Sequence, residues 1–161
     1  MASWPGSEAE VGALLDRVVA VLQGLQWQVE LDDEHPGGML LEPSDGDAPW
    51  PFVAQVDPDD QQIAFYSLLP DEVPEDRREA VAAVLTHANY GLTVGSFEID
   101  TTDGDVRLRT SIDLGKADVD DAVLAALVSP LIAHNLAAMD LWIDALQGVA
   151  EGADPEDLLA Q

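Results

Sequence analysis

The stretch from His87 to Leu114 constrains the fold of this chain more than any other part of the sequence. Near its start, Asn89 and Gly91 are residues that tolerate the left-handed conformation in which many helices stop. Two strand-like runs then flank Asp103-Gly104, a pair that is a strong short-range signal for a hairpin. The stretch therefore predicts the end of a helix, a corner and a two-stranded antiparallel hairpin.

The turn also predicts a register between the two hairpin strands, residues 94–100 and 105–112. A two-residue type I′ turn at Asp103-Gly104 makes these pairs face each other: Asp100 with Arg107, Ile99 with Leu108, Glu98 with Arg109, and Phe97 with Thr110. Opposite charges then meet on one face, and each such pair contributes roughly 0.2–1 kcal/mol. A four-residue loop would instead place Asp105 opposite Asp100, which like-charge repulsion disfavours.

The same stretch resembles the signature of the YbjN family, a bacterial group labelled as sensory transduction regulators. The likeness is carried by Ala88 to Gly91, Gly95, Phe97-Glu98, Gly104 to Arg107, Arg109 and Ser111, and it extends more loosely to Gly152. The resemblance implies a fold similar to that of type III secretion chaperones, which are small α/β dimers that bind partner proteins. It implies no agreed enzymatic activity, so no catalytic residue is transferred to this chain. The residues predicted to shape the fold are Asn89, Tyr90, Gly91, Gly95, Phe97, Asp103, Gly104, Arg107 and Arg109.

The remaining periodicity predicts an α+β domain. Ser7 and Glu10 form a capping-box pattern before an amphipathic helix, and four short strand runs follow as a meander. Ser129-Pro130 is expected to break or sharply kink the helical region after the hairpin, giving two helices. We therefore predict an antiparallel sheet covered by helices on one face, in the order α-β-β-β-β-α-β-β-α-α. The predicted organisation is a flexible tail at 1–6, one domain at 7–152 and an acidic tail at 153–161.

The net charge of −26, from 32 acidic and 6 basic residues, is the strongest compositional feature. Direct binding to nucleic acid is not expected, because most of the surface would repel the phosphate backbone. Three interpretations remain open: general solubility or salt adaptation, a docking surface for a basic partner, and mimicry of DNA. The sequence shows neither a secretory signal nor an apolar run near 18 residues, so we expect a cytoplasmic protein without a membrane segment.

No pattern for catalysis or metal binding emerges. The chain lacks cysteine, and His35, His87 and His134 lie far apart without a zinc spacing. The acids around Asp103 do not fit an EF-hand loop. No nucleophile motif or phosphate-binding glycine loop is present. We therefore predict a protein that is not an enzyme and that carries no cofactor or metal.

Binding of another protein is the favoured function. The candidate contacts are acidic turns and an apolar stripe on the last long helix: Asp32, Asp33, Glu34, Asp45, Asp47, Asp59 and Asp60, with Met139, Trp142, Ile143 and Leu146. Pro51 marks either the start of a strand or a sheet edge, and its strand is considered as an edge open to strand addition. We expect an adaptor or chaperone-like homodimer that engages a basic partner protein, including one that itself handles nucleic acid. The alternative is a regulatory domain that senses a small ligand in a pocket between sheet and helices.

Overall fold

The structure is a computed structural model that describes residues 8–159, with side chains described for 13–158. The predicted tail at 1–6 and the Ser7–Glu10 capping box lie outside these described parts. The elements are α1 (Glu8–Gly24), β1 (Trp27–Leu31), β2 (Gly38–Pro43), β3 (Phe52–Asp57), β4 (Gln62–Leu68), a 3-10 turn (Glu75–Arg77), α2 (Arg78–Gly91), β5 (Ser96–Ile99), β6 (Val106–Asp113), α3 (Asp121–Ala150) and α4 (Pro155–Leu159).

The strands form one six-stranded sheet in the order β1-β2-β3-β4-β6-β5. The pairs β1–β2, β2–β3 and β5–β6 are antiparallel. One side of each central strand is buried, as the alternating burial along β3 and β4 shows. The predicted α+β class, the antiparallel sheet and the order of elements are confirmed.

Residue contacts divide the chain into two compact units. Unit 1 comprises residues up to Phe65 together with Ser111–Pro130, and unit 2 comprises Tyr66–Thr110 together with the residues from Leu131 onward. The predicted boundaries of one domain at 7–152 stay a prediction. The predicted acidic tail contains α4, whose first turn is capped by the Asp154 carboxylate accepting the Glu156 amide at 2.9 Å.

Unit 1 has an aromatic centre. The Phe52 ring lies 5.3 Å from that of Trp27 and 6.2 Å from that of Phe65, measured between centroids. The inner stripe of α1 completes this core, because Leu14, Val18 and Leu22 are buried as their helical spacing predicts. Arg17, on the same helix, donates to the Asp121 carboxylate at 2.7 Å and to the Val119 carbonyl.

Unit 2 has a core that includes a polar centre. Val81, Val84, Leu85 and Ala88 on α2 are buried, as are Phe97, Leu108, Met139, Leu146 and Val149. Asn135 of α3 is fully buried among them and donates to the Leu108 carbonyl at 3.1 Å and to Thr110 Oγ1 at 3.2 Å. It also accepts the Ser67 hydroxyl at 2.6 Å. These bonds anchor the second half of α3 to β4 and β6.

The predicted break at Ser129-Pro130 is wrong. α3 runs without interruption from Asp121 to Ala150, with Pro130 inside it. The proline leaves the Ala126 carbonyl without its usual helical donor, which costs about 3 kcal/mol. Burial of Val128 before the proline and of Ile132 after it offsets this cost. The last two helices of the predicted order are therefore α3 and the short α4.

The predicted hairpin register is also wrong by two residues. Phe97 faces Leu108, Glu98 faces Arg107 and Ile99 faces Val106. The turn is the four-residue loop 101–104, closed by the Asp100 amide donating to the Asp105 carbonyl at 2.8 Å. Glu98 is nevertheless paired with both arginines of β6, directly with Arg107 at 2.8 Å and diagonally with Arg109 at 2.7 Å.

Within the described residues, α3 is the one helix that is long and apolar enough to cross a membrane by length and composition. Its most apolar window has a mean hydropathy of 1.8, and 33% of that window is buried. Such a helix is weak evidence for a membrane span, because core helices pass the same test. The expectation of no membrane segment therefore stays a prediction.

Candidate functional site

The predicted acidic residues all lie exposed in turns of unit 1. The turns β1–β2 and β3–β4 lie at the same end of an antiparallel meander, and the β2–β3 loop lies at the other end. One end therefore holds Asp32, Asp33, Glu34, Asp59 and Asp60, and the opposite end holds Asp45 and Asp47. The structure thus brings together five of the seven predicted carboxylates, which we call the acidic rim.

Some rim carboxylates also build their own turns. Asp32 accepts the amides of Glu34 at 2.8 Å and His35 at 3.2 Å, and its other oxygen lies 2.8 Å from Nδ1 of His35. The bond from the Glu34 amide and the contact with His35 lower the pKa of Asp32. The Asp32 carboxylate therefore remains negative well into acidic solution.

The arginines, by contrast, are engaged by other groups of the chain. Each of the five arginines contacts a carboxylate or a backbone carbonyl: Arg17 on Asp121, Arg77 on Val149 and Ala153, Arg78 on Val73 and Thr101 to Asp103, and Arg107 and Arg109 on Glu98. Lys116 is the sixth basic residue. The described surface therefore offers no cluster of basic side chains to a nucleic-acid backbone.

The apolar stripe predicted on the last long helix is only partly accessible. Met139 and Leu146 are fully buried, so the structure removes them from the candidate surface. Trp142 and Ile143 are half-buried and remain accessible at the surface of unit 2. The prediction failed for the first pair because helical spacing identifies an apolar face without telling whether the chain itself covers it.

Several residues of the family-like motif have clear structural roles. The Asn89 side chain accepts the Phe97 amide at 2.7 Å and donates to the Phe97 carbonyl at 3.0 Å, which fixes the end of α2 on β5. Gly95 has a φ of +86°, and a Cβ there would lie 2.7 Å from the Arg109 carbonyl oxygen. Gly104 has a φ of +91° and lies against the backbone of Val73. Asp103 accepts the Asp105 amide at 2.9 Å within the turn.

Tyr90 and Gly91 do not have the structural roles that the sequence predicted for them. Gly91 is the last residue of α2, its φ is not positive, and a Cβ there would meet nothing within 4 Å. The side chain of Tyr90 is 95% exposed, so it contributes almost no packing. The predicted helix stop is instead made by Leu92, which is extended and donates its amide to the Asn89 carbonyl.

The two edges of the sheet differ. Pairing within β5–β6 leaves the amide and carbonyl of Phe97 directed outward, and the Asn89 side chain binds both of them. At the other edge, the Asp32 amide donates to Gly38 across the β1–β2 ladder. Alternation then directs the backbone groups of Trp27, Val29 and Leu31 away from β2, where no other described strand lies.

Of the two alternatives for Pro51, the strand start agrees with β3 beginning at Phe52, whereas the sheet edge is wrong because β3 lies between β2 and β4. Strand order is a non-local property, and a proline before a strand does not reveal it. The open edge is β1. It carries the exposed Leu31 and the exposed Glu30, and it leads directly into the acidic rim.

Unit 2 also contains a cleft of about 600 Å³. Its walls come from the loop after β4, the start of α2 and the end of α3, and they include Leu69, Pro74, Arg77, Ala150 and several carboxylates. Arg77 is held at its edge by the Val149 carbonyl at 2.8 Å. Among the described residues there is no group of three or more His, Asp or Glu side chains able to hold a metal ion.

Comparison with known proteins agrees with this architecture. The family model described as "YbjN: Putative bacterial sensory transduction regulator" matches residues 14–147. No curated protein sequence matches the chain. The crystal structure of YbjN from E. coli superimposes with a TM-score of 0.59 at 17% identity, covering 85% of this chain and 92% of that one. A chain of the HopA1–SchA chaperone–effector complex superimposes with a TM-score of 0.57 at 13% identity, covering 86% and 98%.

At these identities the superpositions show the fold alone, whereas the family match spans most of the sequence. The expected resemblance in sequence and the chaperone-like fold are both confirmed. This chain belongs to the YbjN family and has the fold that the family shares with type III secretion chaperones.

Proposed function

We propose that this protein is a non-enzymatic, cytoplasmic adaptor or chaperone-like protein that binds a basic partner protein. The observation that carries the proposal is the asymmetric use of charge. All five arginines are engaged within the chain, whereas the acidic rim is exposed. Such a surface accelerates encounter with a positively charged protein and repels nucleic acid. The fold, shared with a chain of a chaperone–effector complex, supports the same function.

The open edge of β1 provides backbone hydrogen-bonding groups to a partner, which the acidic rim alone does not. An extended segment of the partner added beside Val29 would bond to the outward backbone groups of β1. Side chains of an added strand alternate between the two faces of the sheet. On the outer face they would meet Gln28 and the exposed Glu30, which favours lysine or arginine there. The preferred partner segment therefore alternates basic and apolar residues.

Val29→Pro tests the strand-addition step. Because the Val29 amide faces away from β2, proline removes an outward donor without removing a bond of the β1–β2 ladder. We expect partner binding in a pull-down from host lysate to be lost in Val29→Pro and kept in Val29→Thr, with both variants folded by circular dichroism. Equal capture by both variants would exclude β1 as the binding edge.

The charge step is tested separately by salt and by neutralising the rim. Capture at low salt should weaken strongly between 50 and 300 mM NaCl, as expected for exposed charges. The variant Asp33→Asn/Glu34→Gln/Asp60→Asn should weaken capture more than Asp45→Asn/Asp47→Asn, which removes charge at the opposite end of the sheet. A partner whose capture responds to neither salt nor these variants would contradict the proposal.

We also propose that the protein is a homodimer, as the resemblance to type III secretion chaperones implies. Light scattering at micromolar concentration should give about twice the chain mass of 17.2 kDa. A mass equal to one chain would refute the dimer while leaving partner binding intact.

The alternative function is that of a regulator that senses a small ligand, and the cleft in unit 2 favours it. Its volume of about 600 Å³ lies within the range of small-molecule sites, and Leu69 and Pro74 provide apolar surface. Thermal-shift screening against metabolites distinguishes the two functions. A ligand that raises the melting temperature in wild type but not in a cleft variant such as Leu69→Gln would favour the sensor.

A further inference from the structure

An exposed aromatic side chain lies at the end of α2, where the backbone is fixed to β5. Tyr90 is 95% exposed, although its neighbour Asn89 fixes the helix end to β5 by two hydrogen bonds. Large aromatic side chains on rigid backbone are enriched at the centres of protein interfaces, because they lose little conformational entropy on binding. Folding leaves the Tyr90 ring almost uncovered, so it is available for contact with another molecule.

Two further rings extend this surface within unit 2. His87 lies three residues before Tyr90, so their side chains share one face of α2. The His87 ring packs edge-on against Trp142 of α3, with centroids 6.1 Å apart. His87 is exposed and Trp142 is half-buried, so all three rings are accessible. Gly91 adds no side chain beside Tyr90, which leaves the helix end open to an approaching chain.

We propose that Tyr90, His87 and Trp142 form an aromatic surface that binds arginine side chains of the partner protein. The proposal rests on the proposed function, because it identifies a contact for the same basic partner. Aromatic faces attract guanidinium groups, and unit 2 carries 15 acidic against 4 basic residues, all four of them engaged arginines. A second copy of this chain is a poor occupant, because its arginines are engaged and its charge is also negative.

The chain already contains one such contact. The Arg107 guanidinium lies 4.7 Å from the centroid of the Tyr66 ring while it is paired with Glu98. This pairing shows how arginine is held in unit 2 when aromatic and acidic groups meet. Tyr90 offers a ring of the same kind as Tyr66, but its ring is exposed and is not covered by an arginine of the described residues.

The probe for this test is a fluorescently labelled peptide of six arginines alternating with glycine. Its glycines disfavour strand formation, so binding does not depend on the β1 edge. Binding is measured by anisotropy at 50 and 150 mM NaCl. We expect Tyr90→Ala to weaken binding roughly 3- to 30-fold, Tyr90→Phe to remain near wild type, and a lysine peptide of equal charge to bind more weakly. Val123→Ala, a change at a partly exposed position of unit 1, should leave affinity within about twofold.

The outcomes separate the two proposals. Equal affinity of wild type and Tyr90→Ala would overturn the aromatic surface while leaving a basic partner possible. Absence of binding even at 50 mM NaCl would overturn the aromatic surface, whereas binding at the β1 edge is tested separately by Val29→Pro. A change in tryptophan fluorescence on binding that disappears in Trp142→Phe would support the assignment, and an unchanged signal would contradict it. Dissociation of a dimer by Tyr90→Ala, seen by light scattering, would show that the occupant is a second copy and refute the proposal.

Discussion

Replacement of Asn135 by leucine tests whether the buried polar centre of unit 2 stabilises the fold. The side chain forms hydrogen bonds with Leu108, Thr110 and Ser67 at 2.6–3.2 Å. Each contributes about 0.5–1.5 kcal/mol, and a buried group that loses its partner costs about 1–3 kcal/mol. Leucine has a similar volume, so the cavity term is small. The expected loss of stability is therefore about 3–5 kcal/mol, a large part of the roughly 5–15 kcal/mol of a typical domain.

Urea unfolding measures this loss directly. At about 2 kcal/mol per molar urea, a loss of 4 kcal/mol moves the midpoint by about 2 M. His134→Ala provides the control, because His134 is the neighbouring exposed residue and its replacement should change stability by less than about 0.5 kcal/mol.

A double-mutant cycle with Ser67→Ala then tests whether lost hydrogen bonding causes the destabilisation by Asn135→Leu. Ser67→Ala removes the hydroxyl that Asn135→Leu would leave buried, so the double variant should cost less than the two single changes together by at least about 1 kcal/mol. A loss below 1 kcal/mol in Asn135→Leu, or perfectly additive single changes, would refute the view that this network anchors α3 through hydrogen bonding.

Three further outcomes follow from glycine geometry, a shifted pKa and the net charge. Gly104→Ala should lower stability by more than about 2 kcal/mol, because φ is +91° and a Cβ would lie 2.2 Å from the Val73 carbonyl oxygen. Gly91→Ala should instead raise stability by roughly 0.5–1 kcal/mol, because a Cβ there meets nothing within 4 Å. Thermal melts of the two variants measure this difference. Hydrogen bonds from Thr102 lower the pKa of Asp100 below its ordinary 3.8, so its stabilisation is present above pH 3.8 and is lost as pH falls through the folded-state pKa. Asp100→Asn should therefore lower the melting temperature at pH 7, and its difference from wild type should shrink as pH falls below 3.8. Added NaCl should raise the melting temperature of wild type, because it screens the repulsion within a chain of net charge −26; a fall would contradict this.

The hairpin shows which structural features an alternating sequence pattern can predict and which it cannot. Alternation assigned Glu98 and Arg107 to one face and Phe97 to the other, and both assignments are confirmed. A shift of two residues preserves these faces, so alternation cannot distinguish the two registers. The observed loop is held from outside the hairpin by Arg78 of α2, which donates to the carbonyls of Thr101, Thr102 and Asp103. That contact joins residues more than 20 positions apart and is invisible to local rules.

For the candidate site, as for the hairpin, local features were predictable from the sequence and non-local features were not. The exposure of the acidic rim was predictable, because charged residues in turns face solvent wherever the turns lie. Which edge of the sheet stays open was not, because it depends on β6 inserting between β4 and β5. The exposure of Tyr90 was likewise unpredictable, because a tyrosine within a helical pattern is as compatible with a core position as with a surface one.

The use of arginine links the fold to the surface charge. An acidic chain with few cations gains most where a guanidinium binds several carbonyl oxygens at once, as Arg78 does on four of them and Arg77 does at the end of α3. A surface ion pair contributes only about 0–1 kcal/mol, so the same arginine would stabilise the protein less if it neutralised a rim carboxylate. The arginines are therefore used within the chain, and none of them pairs with a carboxylate of the acidic rim. The docking surface that we propose is negative because the arginines stabilise loops elsewhere in the chain, and a basic partner is the counterpart that we propose for it.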